Sequence, residues 1–190
     1  MMRRIDTKEL RAVAPSLEVM ESILLCGWVY TARDAAHKRF FSLLDAGKPL
    51  PVDIDGAVIF YAGPTPTPPG MPIGSCGPTT SGRMDVYVPR LMSLGLTGMI
   101  GKGERSPQVI EAIKQYRGVY FCAVGGAGAA AAQCVKSCEV VAFEDLGCES
   151  VKRLYLEDFP LTVAVDTAGR DIFSIGKECY RQAAFYATDL

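Results

Sequence analysis

A proline- and glycine-rich stretch at residues 63–78 constrains the fold of this chain more than any other segment. It contains six prolines and four glycines. Proline lacks the backbone N–H that helices and sheets need, and glycine adopts turn conformations freely. The segments on both sides have the apolar pattern of core elements. We therefore predict an ordered loop within a domain, and not a flexible linker between domains.

Strand-like and helix-like patterns alternate along most of the chain. Strands are predicted where apolar residues run together, at 22–32, 57–62, 97–100, 119–124, 140–143 and 161–165, the last three as buried strands. Helices are predicted where apolar residues recur at helical spacing, at 34–44, 84–94, from Ser106-Pro107 to Gly118, and at 176–186. The alternation predicts an α/β fold with a mixed or parallel sheet, and the length predicts a single domain over 1–190.

Composition excludes several classes of protein. The net charge is −1, whereas a nucleic-acid-binding surface usually carries a basic excess. No window reaches the ~18 uninterrupted apolar residues of a membrane helix. Residues 1–11 are charged and lack the apolar stretch of a secretory signal. We expect a cytoplasmic protein that binds neither nucleic acid nor membrane.

The cysteines and the single histidine favour a chain without a metal site of its own. The seven cysteines lie mostly in apolar runs, so we expect them to be reduced and mainly buried. The nearest pair, Cys134 and Cys138, has the i, i+4 spacing of one helix face, without a third cysteine in register. A cluster or zinc site usually needs closer pairs, and His37 alone cannot form a histidine-rich site.

The segment 77–85, with the sequence GPTTSGRMD, is the first candidate site. Backbone N–H groups, three hydroxyls and the Arg83 guanidinium lie within nine residues. Such a loop suits a small anion, either a phosphate or a carboxylate. The alternative is a structural turn in which Thr79 and Thr80 cap a helix that begins near Arg83.

A second glycine-rich segment, Gly125-Gly126-Ala127-Gly128, follows a predicted strand and opens an alanine-rich helix. This placement suits a phosphate at a helix N-terminus, and a stand-alone anion- or nucleotide-binding module is the corresponding functional hypothesis. The segment does not match the dinucleotide or P-loop patterns. Close packing of helix on strand, which needs small residues, is the interpretation that we favour.

Three cations lie in three separate loops at strand ends: Arg33, Arg83 and Lys102. If these loops converge, the cations would suit a dicarboxylate, because arginine binds a carboxylate through two N–H groups. His37 lies one helical turn beyond Arg33 and is the residue whose ordinary pKa suits proton transfer near neutral pH.

Five motifs together resemble one known family. They are Thr31–Arg39 (TARDAAHKR), Gly63–Pro66 (GPTP), Gly77–Asp85 (GPTTSGRMD), Gly101–Gly103 (GKG) and Glu157–Pro160 (EDFP). In this order they are similar to the β subunit, or C-terminal domain, of class I fumarase. The wider group is the iron–sulfur hydro-lyases, which includes the L-tartrate dehydratase β subunit. The resemblance covers roughly residues 20–175 and implies the swivelling β/β/α type of domain.

The resemblance also implies a reaction and a division of roles. The reaction would be the reversible dehydration of (S)-malate to fumarate, at a site shared with an α subunit that holds a 4Fe-4S cluster, so that this chain binds no cofactor alone. Arg33, Arg83, Lys102 and Thr80 would bind the dicarboxylate. Thr79 would be the proton-transfer residue, with His37 as the rival candidate. The β subunit of L-tartrate dehydratase or of mesaconate hydratase is the alternative within the family.

Overall fold

Seven strands form one mixed sheet in the computed structural model, which describes residues 2–187, with side chains as far as residue 181. The strands are β1 (Arg3–Asp6), β2 (Ser22–Thr31), β3 (Val58–Phe60), β4 (Gly98–Gly101), β5 (Val119–Cys122), β6 (Val135–Ala142) and β7 (Val151–Val165). The helices are α1 (Leu10–Val13), α2 (Asp34–Asp45), α3 (Val88–Ser93), α4 (Pro107–Tyr116), α5 (Gly128–Gln133) and α6 (Ile172–Ala187). Short 3-10 segments cover Ala14–Ser16, Ser81–Met84 and Glu144–Glu149.

The sheet closes on itself. Its strand order is β1-β2-β3-β4-β5-β7-β6, and β2 also pairs with β7. Strands β2, β3, β4, β5 and β7 therefore form a closed ring, from which β1 and β6 extend. Neighbouring strands from β1 to β5 are parallel, whereas β7 is antiparallel to β2, β5 and β6. This confirms the predicted α/β fold with a mixed sheet, and the closed ring is consistent with the swivelling β/β/α type.

The central strands are buried on both faces, which explains their continuous apolar runs. Along β3, Val58 and Phe60 belong to one hydrophobic cluster. Ile59, on the other face, belongs to a second cluster with Phe40 of α2 and Val88 of α3. Alternation of side chains along a strand divides the run between two layers of the core.

The carboxyl ends of β2, β3, β4 and β5 lie at one rim of the ring because these strands are parallel. The loops that follow them, beginning at residues 32, 61, 102 and 123, therefore start from the same rim. As predicted, residues 63–78 form no helix or strand. Ile73 and Cys76 of this loop are nevertheless fully buried in the core. All the motifs that suggested a site follow these strand ends, apart from Glu157–Pro160.

The structure corrects several predictions in the second half of the chain. Strand β7 begins at Val151, so it is much longer than predicted. Strand β6 begins at Val135, and its Val140 is 48% exposed instead of buried. The reason is that β6 is an edge strand with only β7 beside it. Because α5 ends at Gln133, Cys134 and Cys138 do not share a helix face.

The other differences between the predictions and the structure each concern a few residues. All seven cysteines are free, as predicted, but only Cys26 and Cys76 are buried. Helix α4 ends through Arg117, which has a left-handed φ of 55°, and not through Gly118. The helix predicted over 84–94 begins only at Val88, with Pro89 in its first turn, where proline is tolerated. Strand β1 and helix α1 were not predicted.

Two glycines of the 63–78 loop give a test of its packing. A Cβ on Gly74 would overlap the Thr65 carbonyl and lie 2.5 Å from the Pro66 carbonyl, whereas a Cβ on Gly77 would first meet the Gly128 Cα at 3.5 Å. We expect Gly74→Ala to lower the free energy of unfolding by about 1–3 kcal/mol because the backbone must move. Gly77→Ala, the matched control, should stay within about 0.5 kcal/mol. Urea unfolding of both variants measures this, and equal effects would contradict the packing described here.

Candidate active site

The loops that follow β3 and β4 lie side by side. The Thr79 N–H donates to the Tyr61 carbonyl at 2.6 Å, next to the end of β3. The Lys102 N–H lies 3.3 Å from the Thr79 carbonyl, and the Ser81 N–H donates to the Lys102 carbonyl at 2.9 Å. Thr80 and Lys102 form a parallel bridge. The convergence of these two loops, which was inferred from topology, is therefore present.

Arg83 connects this pair of loops to the start of α2. Its Nε donates to Asp34 Oδ1 at 3.0 Å, and its Nη2 lies 2.7 Å from Asp34 Oδ2. The two contacts fix the plane of the guanidinium, while about half of the Arg83 side chain stays exposed. Asp34 is the first residue of α2, next to the position where a carboxylate can cap a helix. The N-cap position itself is Arg33, which makes no side-chain capping hydrogen bond.

Arg33 is held by a different acidic residue. Its Nη2 lies 3.5 Å from Glu149 Oε1, and the other oxygen of Glu149 accepts a hydrogen bond from the Ala35 N–H at 2.9 Å. A Cβ on Gly63 would lie 2.7 Å from Arg33 Nη1, so glycine at 63 leaves room for this guanidinium. Both arginines thus have a carboxylate that orients them. The two arginines and Asp34 lie in segments that follow β2 or β3, whereas Glu149 lies between β6 and β7.

Lys102 differs from the two arginines. Among the side chains described, up to residue 181, its ammonium has no hydrogen-bond or ion-pair partner. Its Cδ and Nζ would lie 3.5 and 3.8 Å from a Cβ on Gly125, so the lysine runs along the glycine segment after β5. Thr80 is exposed and Thr79 is half-buried. An ammonium without a partner, beside two threonines, is available to an anion.

His37 lies in the core and not on the exposed side of the site. Its side chain is 0% exposed, and its ring stacks on Tyr87 with 5.3 Å between centroids. Its Nδ1 lies 2.8 Å from the Arg33 carbonyl, which only accepts, so Nδ1 carries the hydrogen. Burial lowers the pKa of His37 from 6.5 to about 4, because the charged ring would lose its hydration. The imidazole is therefore neutral at pH 7. Its role in proton transfer stays a prediction.

Sequence reasoning missed a buried ion pair beneath the loops. Arg105 Nε donates to Asp85 Oδ1 at 2.8 Å, and the Arg105 side chain is 0% exposed. The guanidinium lies 5.3 Å from the centroid of the Tyr61 ring and 4.8 Å from that of Tyr120. The only indication in the sequence was that Asp85 ends the candidate segment GPTTSGRMD. Nothing in the sequence shows that its partner is an arginine twenty residues further on.

The glycine segment at 125–128 has a packing explanation. A Cβ on Gly128 would lie 2.5 Å from Ser75 Oγ and 3.0 Å from the Gly77 nitrogen. The Cys76 N–H also donates to the Gly128 carbonyl at 2.9 Å. Only glycine allows the 63–78 loop to approach α5 this closely.

The described residues contain neither a metal-ligand group nor a membrane-spanning helix. Across the described part of the chain, no three His, Cys, Asp or Glu side chains lie together so that they could hold a metal ion. None of the helices between residues 2 and 187 has the length and apolar character needed to cross a membrane. The cytoplasmic location stays a prediction.

Comparison with known proteins identifies the family. A family model described as "Fumarase C-terminus" matches residues 2–176. The chain belongs to the fumarase C-terminus family. The match begins before residue 20, so it is longer than the motifs indicated. The N-terminal segment belongs to the same domain because β1 pairs with β2, Arg3 lying opposite Ile23.

Members of the fumarase C-terminus family with similar sequences carry two kinds of name. "Fumarate hydratase class I, anaerobic" of Escherichia coli K12 is 43% identical over 176 residues, which are 90% of this chain and 32% of that protein. "Fumarate hydratase 1, mitochondrial" of Leishmania major is 43% identical over 82% of this chain and 29% of that protein. A Methanocaldococcus jannaschii protein, named provisionally as L(+)-tartrate dehydratase subunit beta, is 34% identical over 87% of this chain and 89% of its own length.

The share of the relative's own length that this chain covers differs between the two kinds of relative. The chain spans about a third of the length of the fumarate hydratases that it matches, but nearly all of the archaeal subunit. Within the fumarase C-terminus family, the domain thus occurs both as part of a longer chain and as a chain of about this size. The names of both groups of relatives describe hydro-lyases.

The buried His37 predicts a specific loss of stability in acid. The unfolded chain binds a proton at this histidine near pH 6.5, but the folded chain does so only near pH 4. Stability is therefore lost as the pH falls from 6.5 to 4, by up to about 3 kcal/mol from this residue. His37→Asn keeps an N–H donor but does not titrate in this range. It should be less stable than wild type at pH 7 and approach wild type as the pH falls.

Urea unfolding of both proteins at several pH values measures the difference in stability. The interpretation is clear because His37 is the only histidine in the chain. A difference in unfolding free energy that stays constant between pH 6.5 and pH 4 would contradict the neutral, buried state of His37.

Proposed function

We propose that this chain is the dicarboxylate-binding part, or β subunit, of a class I fumarate hydratase that interconverts (S)-malate and fumarate. One observation carries the proposal: Lys102, Arg83 and Thr79 lie in adjoining loops at one rim of the ring. Arg33 joins them through α2, whose Asp34 binds Arg83. The similarity to fumarate hydratases over 80–90% of this chain supports the same reading.

The cations suit a substrate with two carboxylates. Arg83 keeps free N–H groups after its contacts with Asp34, because a guanidinium has five donors. It can therefore bind one carboxylate of the substrate in a fixed orientation. Lys102, with no partner of its own among the described side chains, would bind the other as a point charge. Arg33 and the exposed Thr80 hydroxyl would complete the contacts at the rim.

Thr79 is the residue that we propose for proton transfer. Removal of a proton from the carbon beside a carboxylate spreads negative charge into that carboxylate, and nearby cations stabilise the charge as it develops. A threonine hydroxyl is a weak base at its ordinary pKa and needs activation. Lys102, which lies in the adjoining loop, is the residue that we propose for that activation. The elements of water then leave as the proton and the substrate's hydroxyl group.

We propose an indirect role for His37 in the same reaction. Its Nδ1–H donates to the carbonyl of Arg33, which lies in the loop after β2. A neutral ring in this position would hold the Arg33 backbone without adding charge to the site. The alternative, that His37 itself transfers the proton, would require it to reach the substrate from a fully buried position.

The iron–sulfur cluster of the proposed enzyme does not fit the residues described in this chain. Between residues 2 and 187, the cysteines and acidic residues do not form a group that could hold iron. We propose that a 4Fe-4S cluster is held by an α subunit or by the preceding part of a longer chain. There it would act as a Lewis acid on the substrate hydroxyl. This chain would bind the dicarboxylate and move the proton.

A tartrate dehydratase β subunit is the second candidate within the family. The archaeal relative with that name has nearly the same length as this chain. Identities of 43% and 41% to the two Escherichia coli K12 fumarate hydratases, against 34% to the archaeal subunit, favour fumarate over tartrate. A stand-alone nucleotide-binding module is less favoured, because close packing against Gly77 accounts for Gly128.

The test combines this chain with a cluster-bearing partner under anaerobic conditions. The assembled enzyme should hydrate fumarate, and it should act more slowly on tartrate and mesaconate. Absence of any hydro-lyase activity in the assembled enzyme, or activity of the partner that does not depend on this chain, would contradict the proposal. Titration calorimetry with ATP and NAD tests the nucleotide hypothesis, which tight binding would support.

Arg83→Met gives the quantitative prediction. Loss of a charged hydrogen bond should reduce transition-state stabilisation by at least ~2 kcal/mol. This corresponds to a fall in kcat/KM for fumarate of about 30-fold. Arg90→Met is the matched control, since Arg90 also forms an exposed ion pair, with Asp45, but on α3. It should leave kcat/KM unchanged. Unchanged kcat/KM in Arg83→Met would remove Arg83 from the site.

A further inference from the structure

We propose that Tyr120, Ser81, Arg105 and Asp85 are positioning residues that fix the distance between Lys102 and the Thr79–Arg83 loop. They would thereby make the site selective for the length of a dicarboxylate. Nothing in the sequence pointed to Tyr120 or Arg105, and Ser81 and Asp85 lay in the candidate segment 77–85 without a role of their own. The inference rests on the proposed function, since it assigns these residues a role in binding the same substrate.

The first part of the arrangement is a buried chain of hydrogen bonds through the Tyr120 hydroxyl. Ser81 Oγ accepts from the Lys102 N–H at 3.1 Å, so its own hydrogen is free to donate to Tyr120 Oη, 2.9 Å away. Tyr120 Oη in turn donates to the Gly103 carbonyl at 2.8 Å. One hydroxyl on β5 thus connects the loop that carries Thr79 and Arg83 to the loop that carries Lys102.

The second part is the ion pair between Arg105 and Asp85. Asp85 follows Arg83 by two residues, and Arg105 follows Lys102 by three. Besides its contact with Arg105, the carboxylate of Asp85 accepts from the Ser106 N–H at 2.6 Å. The ion pair and the Ser106 contact therefore join the two loops a second time.

The burial of this pair argues for a positioning role. Removing two charges from water costs as much as their attraction returns, so a buried ion pair is a poor device for stability alone. Its hydrogen bonds do fix direction and distance. Arg105 is fully buried and lies against the rings of Tyr61 and Tyr120. The Arg105–Asp85 ion pair thus fixes the position of the two loops relative to each other.

The loops also rest directly on the end of β4. A Cβ on Gly101 would overlap Ser81 Oγ and lie 3.0 Å from the Tyr61 ring. The glycine allows Ser81 to lie against the strand from which Lys102 follows. With both loops fixed to β4 and β5, the backbones that carry Lys102 and Arg83 lie on a rigid support. Discrimination between ligands that differ by one methylene depends on such rigidity.

The test compares dicarboxylate inhibitors of different length on the assembled enzyme. Malonate, succinate and glutarate differ by one methylene each, and wild type should prefer succinate by about tenfold or more. Tyr120→Phe leaves Ser81 Oγ and the Gly103 carbonyl without the hydroxyl that joins them, and it removes no charge. We expect the ratio of the glutarate and succinate inhibition constants to fall by about threefold or more in this variant. Arg105→Lys should change the ratio in the same direction.

The inhibition ratio separates positioning from loss of stability, because an inactive fraction of enzyme lowers kcat but not a ratio of inhibition constants. Ile23→Val, a core change in β2, is the destabilising control and should keep the wild-type ratio. Should Tyr120→Phe fail to fold, Ser81→Ala removes the same connection from the other side. An unchanged ratio in the variants would overturn the inference while leaving the proposed function intact. A wild-type enzyme that neither hydrates fumarate nor binds succinate would overturn both.

Discussion

The pairing of β7 with β2 is the constraint on which the rest of the structure depends. β7 lies antiparallel to β2 from Ser22 opposite Thr162 to Thr31 opposite Lys152, and near its end it also pairs with β5. This closes the ring and leaves neither β2 nor β5 as a sheet edge. Closure also fixes where the parallel strands end relative to one another. The loops after β2, β3 and β4 approach one another because these strands are parallel neighbours that end at one rim.

The sequence predicted the central strands well because their burial leaves a local signal. Val58–Phe60 and Val119–Cys122 are continuous apolar runs, as expected for strands with a hydrophobic cluster on each face. β7 was predicted only in part. Pro160 lies within it, and its first half carries charged residues because one face is exposed. Proline and charge both argue against a strand locally, but pairing with a long neighbour outweighs them.

Of the candidate site, too, only part could be predicted from the sequence. The positions of Arg33, Arg83 and Lys102 at strand ends could be inferred from the order of elements alone. Their partners could not, because Asp34 binds an arginine 49 residues away and Glu149 binds the Ala35 N–H across 114 residues. Contacts at such separations depend on the closed ring and leave no pattern in the chain. The same holds for the burial of His37, whose helix would otherwise present an ordinary polar face.

The charge balance of the rim bears on what it can bind. Asp34 offsets the charge of Arg83 and Glu149 that of Arg33, so each arginine is already partly neutralised where it lies. Lys102 has no such partner among the described side chains. A small dianion would therefore meet one unpaired cation and two guanidiniums whose orientation is fixed but whose charge is offset. Such a rim favours ligands that use the geometry of the N–H donors, as carboxylates do, over ligands attracted by net charge alone.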